Sequence, residues 1–166
     1  MTHLRARIPI CVFLLTIMSM TAAAQLLPGF YVAGKPKMSA IDKAFKQAQT
    51  QNKILMVEFG ADWCADCVVL DRTLNEGATK NYFQQHFVIA SVDVGQFDRN
   101  IDVMKSLGVK TGAIPTAVFF NPDGSRIGAT NRNELEPARK YGSKQILGFL
   151  KEIAERKQIT SPARFD

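Results

Sequence analysis

Two cysteines three positions apart, Cys64 and Cys67, are the residues whose types and spacing can do chemistry together. Three positions is close to one helical turn, so on a helix the second sulfur reaches the first. Ile54 to Phe59 is an almost unbroken apolar run, and Val68 to about Leu74 reads as a helix. The pair therefore stands at a strand-to-helix junction, with Cys64 at the helix N-terminus. The unpaired N–H groups and the macrodipole there favour an anion. Thiolate is the nucleophile, and such a position lowers a thiol pKa from about 8.5 towards about 7 or below. Cys67 is then placed to resolve a mixed disulfide on Cys64. A zinc site and an inert disulfide are the alternatives. Zinc usually takes four ligands, and past residue 24 the chain offers no other cysteine and only His86. A staple closing so short a loop adds little stability.

The elements that must hold this pair follow from patterning. Ser39 is expected to cap a helix from Ala40 to about Gln51, with Ile41, Ala44, Phe45 and Ala48 on one face. Ile54 to Phe59 reads as a strand buried on both faces, broken only by Glu58. A second short helix is expected from Ala78 to His86, a strand from Phe87 to Val94, and a helix from Asp98 to Leu107. Ala117 to Phe120 and Ser125 to Ala129 read as a hairpin around Asn121-Pro122-Asp123-Gly124. The polar stretch 130–142 reads as a loop, a solvated connector with a partner-specific loop as the alternative, and Ser143 as the cap of a last helix to about Lys157. Strand, helical crossover and strand imply a parallel pair, and the hairpin adds antiparallel strands. The expectation is an α/β chain: a mixed central sheet with helices on both faces.

The N-terminus has a different composition. Arg5 and Arg7 precede a mostly apolar run from Ile8 to Met20, followed by Ala22-Ala23-Ala24. This reads as a secretory signal peptide, residues 1–24, cut after Ala24. A permanent anchor is the alternative, but about 13 apolar residues fall short of the roughly 20 a spanning helix needs. Cys11 lies inside the apolar run and not at the cut, which argues against a lipid anchor. Removal lowers the formal charge from +6 to +4 and leaves Cys64 and Cys67 as the only cysteines. The remaining charge is scattered, with no basic stripe suited to nucleic acid. The expected organisation is 25–38 as an irregular lead-in with a short strand at Phe30-Tyr31-Val32, 39–157 as one domain, and 158–166 as a flexible tail.

Two stretches resemble the thioredoxin family. Val57-Glu58-Phe59-Gly60-Ala61-Asp62-Trp63-Cys64-Ala65-Asp66-Cys67 is similar to its active-site strand and helix. Gly112-Ala113-Ile114-Pro115-Thr116 is similar to its second signature. The Gly-Ala-Asp-Trp-Cys form is similar to periplasmic thioredoxin-like proteins and to the C-terminal domain of the DsbD-type reductase. The resemblance implies a thioredoxin fold from roughly Ser39 to Ile153 and a redox-active disulfide needing no cofactor. It implies a cis Pro115 that turns the Ile114 backbone outward for an extended substrate strand; a trans proline opening a strand is the alternative. Glu58 takes the place of a buried aspartate. Burial would raise its pKa, so that near neutral pH it can shuttle the proton of Cys67; the alternative is a partly exposed edge residue. Trp63 is expected on the docking surface, or else as core packing.

Asp66, inside the motif, and Asp62 place negative charge near Cys64, which opposes its thiolate. That favours a reductant or exchange protein over a strong oxidase. Partners would be protein thiols and disulfides, with electrons from a membrane donor of the DsbD or CcdA kind and a periplasmic location. A disulfide oxidase or isomerase, or a non-catalytic binding module, are the competing functions.

Overall fold

The computed structural model describes residues 37–155 of the 166. The signal segment, most of the lead-in with its expected strand, and the tail lie outside the described residues. Helix α1 spans Lys37–Gln51 and strand β1 Ile54–Gly60. Helices α2 (Ala65–Leu74) and α3 (Gly77–His86) lead to β2 (Phe87–Asp93). Helix α4 (Ile101–Ser106) is followed by β3 (Thr116–Phe120), β4 (Arg126–Ala129) and α5 (Ser143–Ala154).

The sheet order is β2-β1-β3-β4. β1 and β2 run parallel, joined by the α2–α3 crossover, while β3 is antiparallel to β1 and to β4. Every residue of β1 is buried, as a central strand with helices on both faces requires. Alternation along β1 feeds two cores. Leu55, Val57 and Phe59 face α1 and α4 residues such as Ile41, Ala48 and Met104. Ile54 and Met56 face Leu70, Leu74, Phe83, Phe149 and Ile153 from α2, α3 and α5. A chain of rings runs through this second core: Phe83 stacks on Phe87, and Phe119 meets both Phe87 and Phe149 edge-on.

Several boundaries differ from expectation. α1 begins at Lys37, so Ser39 lies in its first turn and does not cap it. Gly142, not Ser143, is the N-cap of α5; its N–H donates to the Gln145 side-chain oxygen at 2.6 Å. α4 starts at Ile101 because residues 95–100 form their own turn. There Asp93 accepts the Gly95 N–H, Asp98 accepts the Gln96 N–H, and Phe97 and Asn100 adopt positive φ. These local bonds outcompete the helix. In the hairpin, Gly124 has φ +88° and its α-carbon faces the Phe45 ring closely enough that a β-carbon would sit 3.1 Å from it.

The largest correction concerns 130–142. This segment is anchored and is no loose connector. Thr130, Leu135 and Ala138 are fully buried, and Ala138–Lys140 forms a 3₁₀ turn packed against α2. Thr130 Oγ1 accepts the Ala117 N–H at 2.9 Å and pairs with the Thr116 hydroxyl. The pattern of apolar residues was too sparse to signal this, since each buried side chain is isolated among polar ones.

Candidate active site

Cys64 is the N-cap of α2, in extended conformation, and the Cys67 N–H donates to its sulfur at 3.2 Å. The helix forms there because Cys64 N closes a turn onto Ala61 O, and Val68 N then reaches back to Cys64 O. The two cysteines form a disulfide across α-carbons 5.2 Å apart. Cys67 is fully buried, whereas Cys64 is 6% exposed, so of the two only Cys64 touches solvent. A sulfur at a helix N-terminus, already receiving an N–H, is a site prepared for negative charge.

The Ile114–Pro115 peptide bond is cis. The Ile114 carbonyl oxygen lies 3.7 Å from Cys64 Sγ, so the 112–116 loop faces the disulfide directly. The Ile114 side chain is buried in the α1-side core, which fixes its backbone beside the sulfur. The structure thus brings Cys64, Cys67, Ile114 and Pro115 together.

Trp63 is 51% exposed, which excludes core packing. Its Nε1–H donates to Gly95 O at 2.7 Å, and its ring meets Phe97 edge-on at 6.1 Å. Phe97 is 41% exposed and was missed by sequence reasoning. The signal available was an aromatic residue in the polar stretch Gly95-Gln96-Phe97-Asp98, just ahead of the expected helix. Phe97 also walls a concavity of about 510 Å³ with Ile101, Met104, Val109, Lys105 and Lys110.

Glu58 is 3% exposed, in the central strand, opposite Ala117 on β3 and Ser91 on β2. It is no edge residue. By alternation it shares the face of Ile54 and Met56, the face that α2 covers. Asp62 is exposed at the surface. Asp66 is paired: one carboxylate oxygen accepts the Arg139 backbone N–H at 2.8 Å and the other the Arg139 Nε–H at 3.0 Å. Its charge is thereby offset, which reduces the electrostatic opposition to a Cys64 thiolate. Among the described residues no group of three His, Cys, Asp or Glu side chains could hold a metal ion. None of their helices is long and apolar enough to cross a membrane.

A parallel–antiparallel sheet flanked by helices, with a C-x-x-C disulfide at the start of one helix, defines a class of redox proteins. The thioredoxin-like family model matches residues 37–122, and the chain belongs to that family. It is 32% identical to a disulphide isomerase from Xylella fastidiosa whose crystal structure superposes with a TM-score of 0.71, covering 78% of this chain and 98% of that one. It is 28% identical over 109 residues to the thiol:disulfide interchange protein DsbD of Vibrio cholerae, and 32% identical over 74 residues to thioredoxin H4 of Arabidopsis thaliana. These alignments take in 64% and 45% of this chain but only 18% and 56% of those relatives. The protein is thus a thioredoxin-fold member of the thiol–disulfide oxidoreductase family, built around the Cys64–Cys67 disulfide.

Proposed function

We propose that the protein is an exported protein-disulfide reductant or exchange protein, with Cys64 as nucleophile and Cys67 as resolving thiol. The observation that carries this is the Cys67 N–H on Cys64 Sγ at a helix N-terminus, with only Cys64 open to solvent. In the forward step the Cys64 thiolate attacks one sulfur of a substrate disulfide. The other substrate sulfur leaves as thiolate and takes up a proton. Cys67, losing its proton, then attacks Cys64 Sγ; the substrate leaves with both cysteines reduced, and the Cys64–Cys67 disulfide forms. Two electrons pass from this protein to its substrate.

Glu58 is the proposed acceptor of the Cys67 proton, being a buried carboxyl on the strand face that α2 covers. Trp63 and Phe97 form the proposed landing surface, and the Ile114 backbone before Pro115 the place where an extended substrate strand pairs. Export rests on residues 1–24 read as a cleaved leader, which would place the protein in the periplasm and its electron donor in the membrane, of the DsbD or CcdA kind. Asp62 still argues for reduction, while the Asp66 contribution is lessened by Arg139.

The test is insulin reduction driven by dithiothreitol, with Cys64→Ser as control. Activity lost in the variant supports the reading; equal rates in both proteins overturn it in favour of a binding module. A reduction potential near about −270 mV supports the reductant and one near about −120 mV an oxidase. Cys67→Ser should leave the natural partner as a mixed disulfide on Cys64.

A further inference from the structure

We propose that Arg139 is a positioning residue for the dithiol, holding the Asp66 carboxylate so that it neither opposes the Cys64 thiolate nor competes with it for the α2 N–H groups. The inference rests on the redox reading of Cys64 and Cys67, and deepens it. Asp66 is the second residue of α2, and Cys64 is its N-cap. A free carboxylate in a first turn turns towards the same N–H donors that a capping group uses. Here Arg139 supplies two other donors, its backbone N–H and its Nε–H, one to each carboxylate oxygen.

That arrangement needs a rigid source, because Arg139 is 73 residues away in the chain and its side chain is 62% exposed. The source is the 130–142 segment, pinned by buried Leu135 and Ala138. The same segment holds the other flank of the disulfide. Asn131 Oδ1 accepts the Lys110 N–H at 2.8 Å, Asn131 Nδ2 donates to Gly108 O at 3.1 Å, and the Thr111 hydroxyl pairs with Asn133. These contacts secure the approach to Ile114 and Pro115. One loop therefore grips both the helix that bears the cysteines and the loop that faces them.

The test titrates the Cys64 thiolate by its ultraviolet absorbance in the reduced full chain, for the wild type, Arg139→Gln, Asp66→Asn and the double variant. Arg139→Gln keeps the backbone N–H on Asp66 but removes the guanidinium; uncovering the charge of a carboxylate this near should raise the midpoint by roughly half a pH unit, a threefold loss of thiolate below the midpoint. In the Asp66→Asn background the Arg139 substitution should have no further effect. Arg139→Lys, which keeps the charge without the Nε–H, should recover part of the shift. An unchanged midpoint in Arg139→Gln, or an equal shift with and without Asp66, overturns the proposal. Insulin reduction by the wild type is read separately. Its absence would overturn the reductase reading while leaving the Asp66–Arg139 coupling standing, and a flat titration in an active protein would do the reverse.

Discussion

Leu135→Ala tests whether the 130–142 segment is built into the core. Leu135 is 1% exposed and packs in the cluster with Phe119, Phe149 and Leu150. The substitution removes three buried carbons, worth roughly 0.8 kcal/mol each in transfer, or about 2.4 kcal/mol. The cavity left behind adds to this, because neighbours close it only in part. The expected loss is about 3 kcal/mol, a large share of the roughly 5–15 kcal/mol that holds a domain of this size. Urea unfolding followed by circular dichroism should show a lower midpoint with an unchanged slope. The melting temperature should fall by roughly 10 °C. Leu135→Met, which keeps the volume, should lose less than about 1.5 kcal/mol. A loss below about 1 kcal/mol for Leu135→Ala would refute the reasoning, since it would mean that the segment rides on the surface and cannot deliver Arg139 to a fixed place.

Three further outcomes are expected. Trp63→Ala and Phe97→Ala should each raise the KM for a protein disulfide several-fold and leave the reaction with a small disulfide within about twofold; equal losses on both substrates would assign these rings to the chemistry and not to docking. Glu58→Gln keeps size and hydrogen-bonding capacity but cannot take a proton, so single-turnover resolution by Cys67 should slow about tenfold or more, and an unaltered pH–rate profile would remove Glu58 from the proton path. Burial holds the Asp71 carboxyl above its ordinary value of 3.8. Its ionisation is therefore harder in the folded chain than in the unfolded one, and the penalty is full above the folded pKa and absent below the unfolded one. Asp71→Asn, which can still accept the Asn75 amide, should raise the melting temperature at pH 7 and lose that advantage as the pH falls through the raised folded value towards 3.8; an advantage that grows in acid would reverse the sign.

What was legible in the sequence is what short-range pattern encodes. The apolar run Ile54 to Phe59 placed β1, and the turn signal at Asn121 to Gly124 placed the hairpin. The spacing of Cys64 and Cys67 placed the sulfur pair, because all three are local. Phe97 was not legible, since its exposure depends on a turn built by side-chain bonds from Asp93 and Asp98. The Asp66–Arg139 pair was not legible either. Asp66 read as a bare negative charge, because the cation that meets it arrives from a distant segment whose burial rests on a few scattered apolar residues. Ser39 and Ser143 have the residue type of a cap, but in both places the backbone starts its helix elsewhere.

The chain has one tryptophan, and it stands next to Cys64, half in water and tied to Gly95 by its indole N–H. The molecule therefore carries a single indole, which can be excited apart from its three tyrosines and whose emission then reports one place only. Electron transfer changes the sulfur beside the ring from disulfide to dithiol, so the yield of that light should follow the redox state without any label. A partner that covers the ring would expel water and move its colour towards the blue, while unfolding would move it towards the red. Turnover, docking and loss of structure are thus separable in one optical channel.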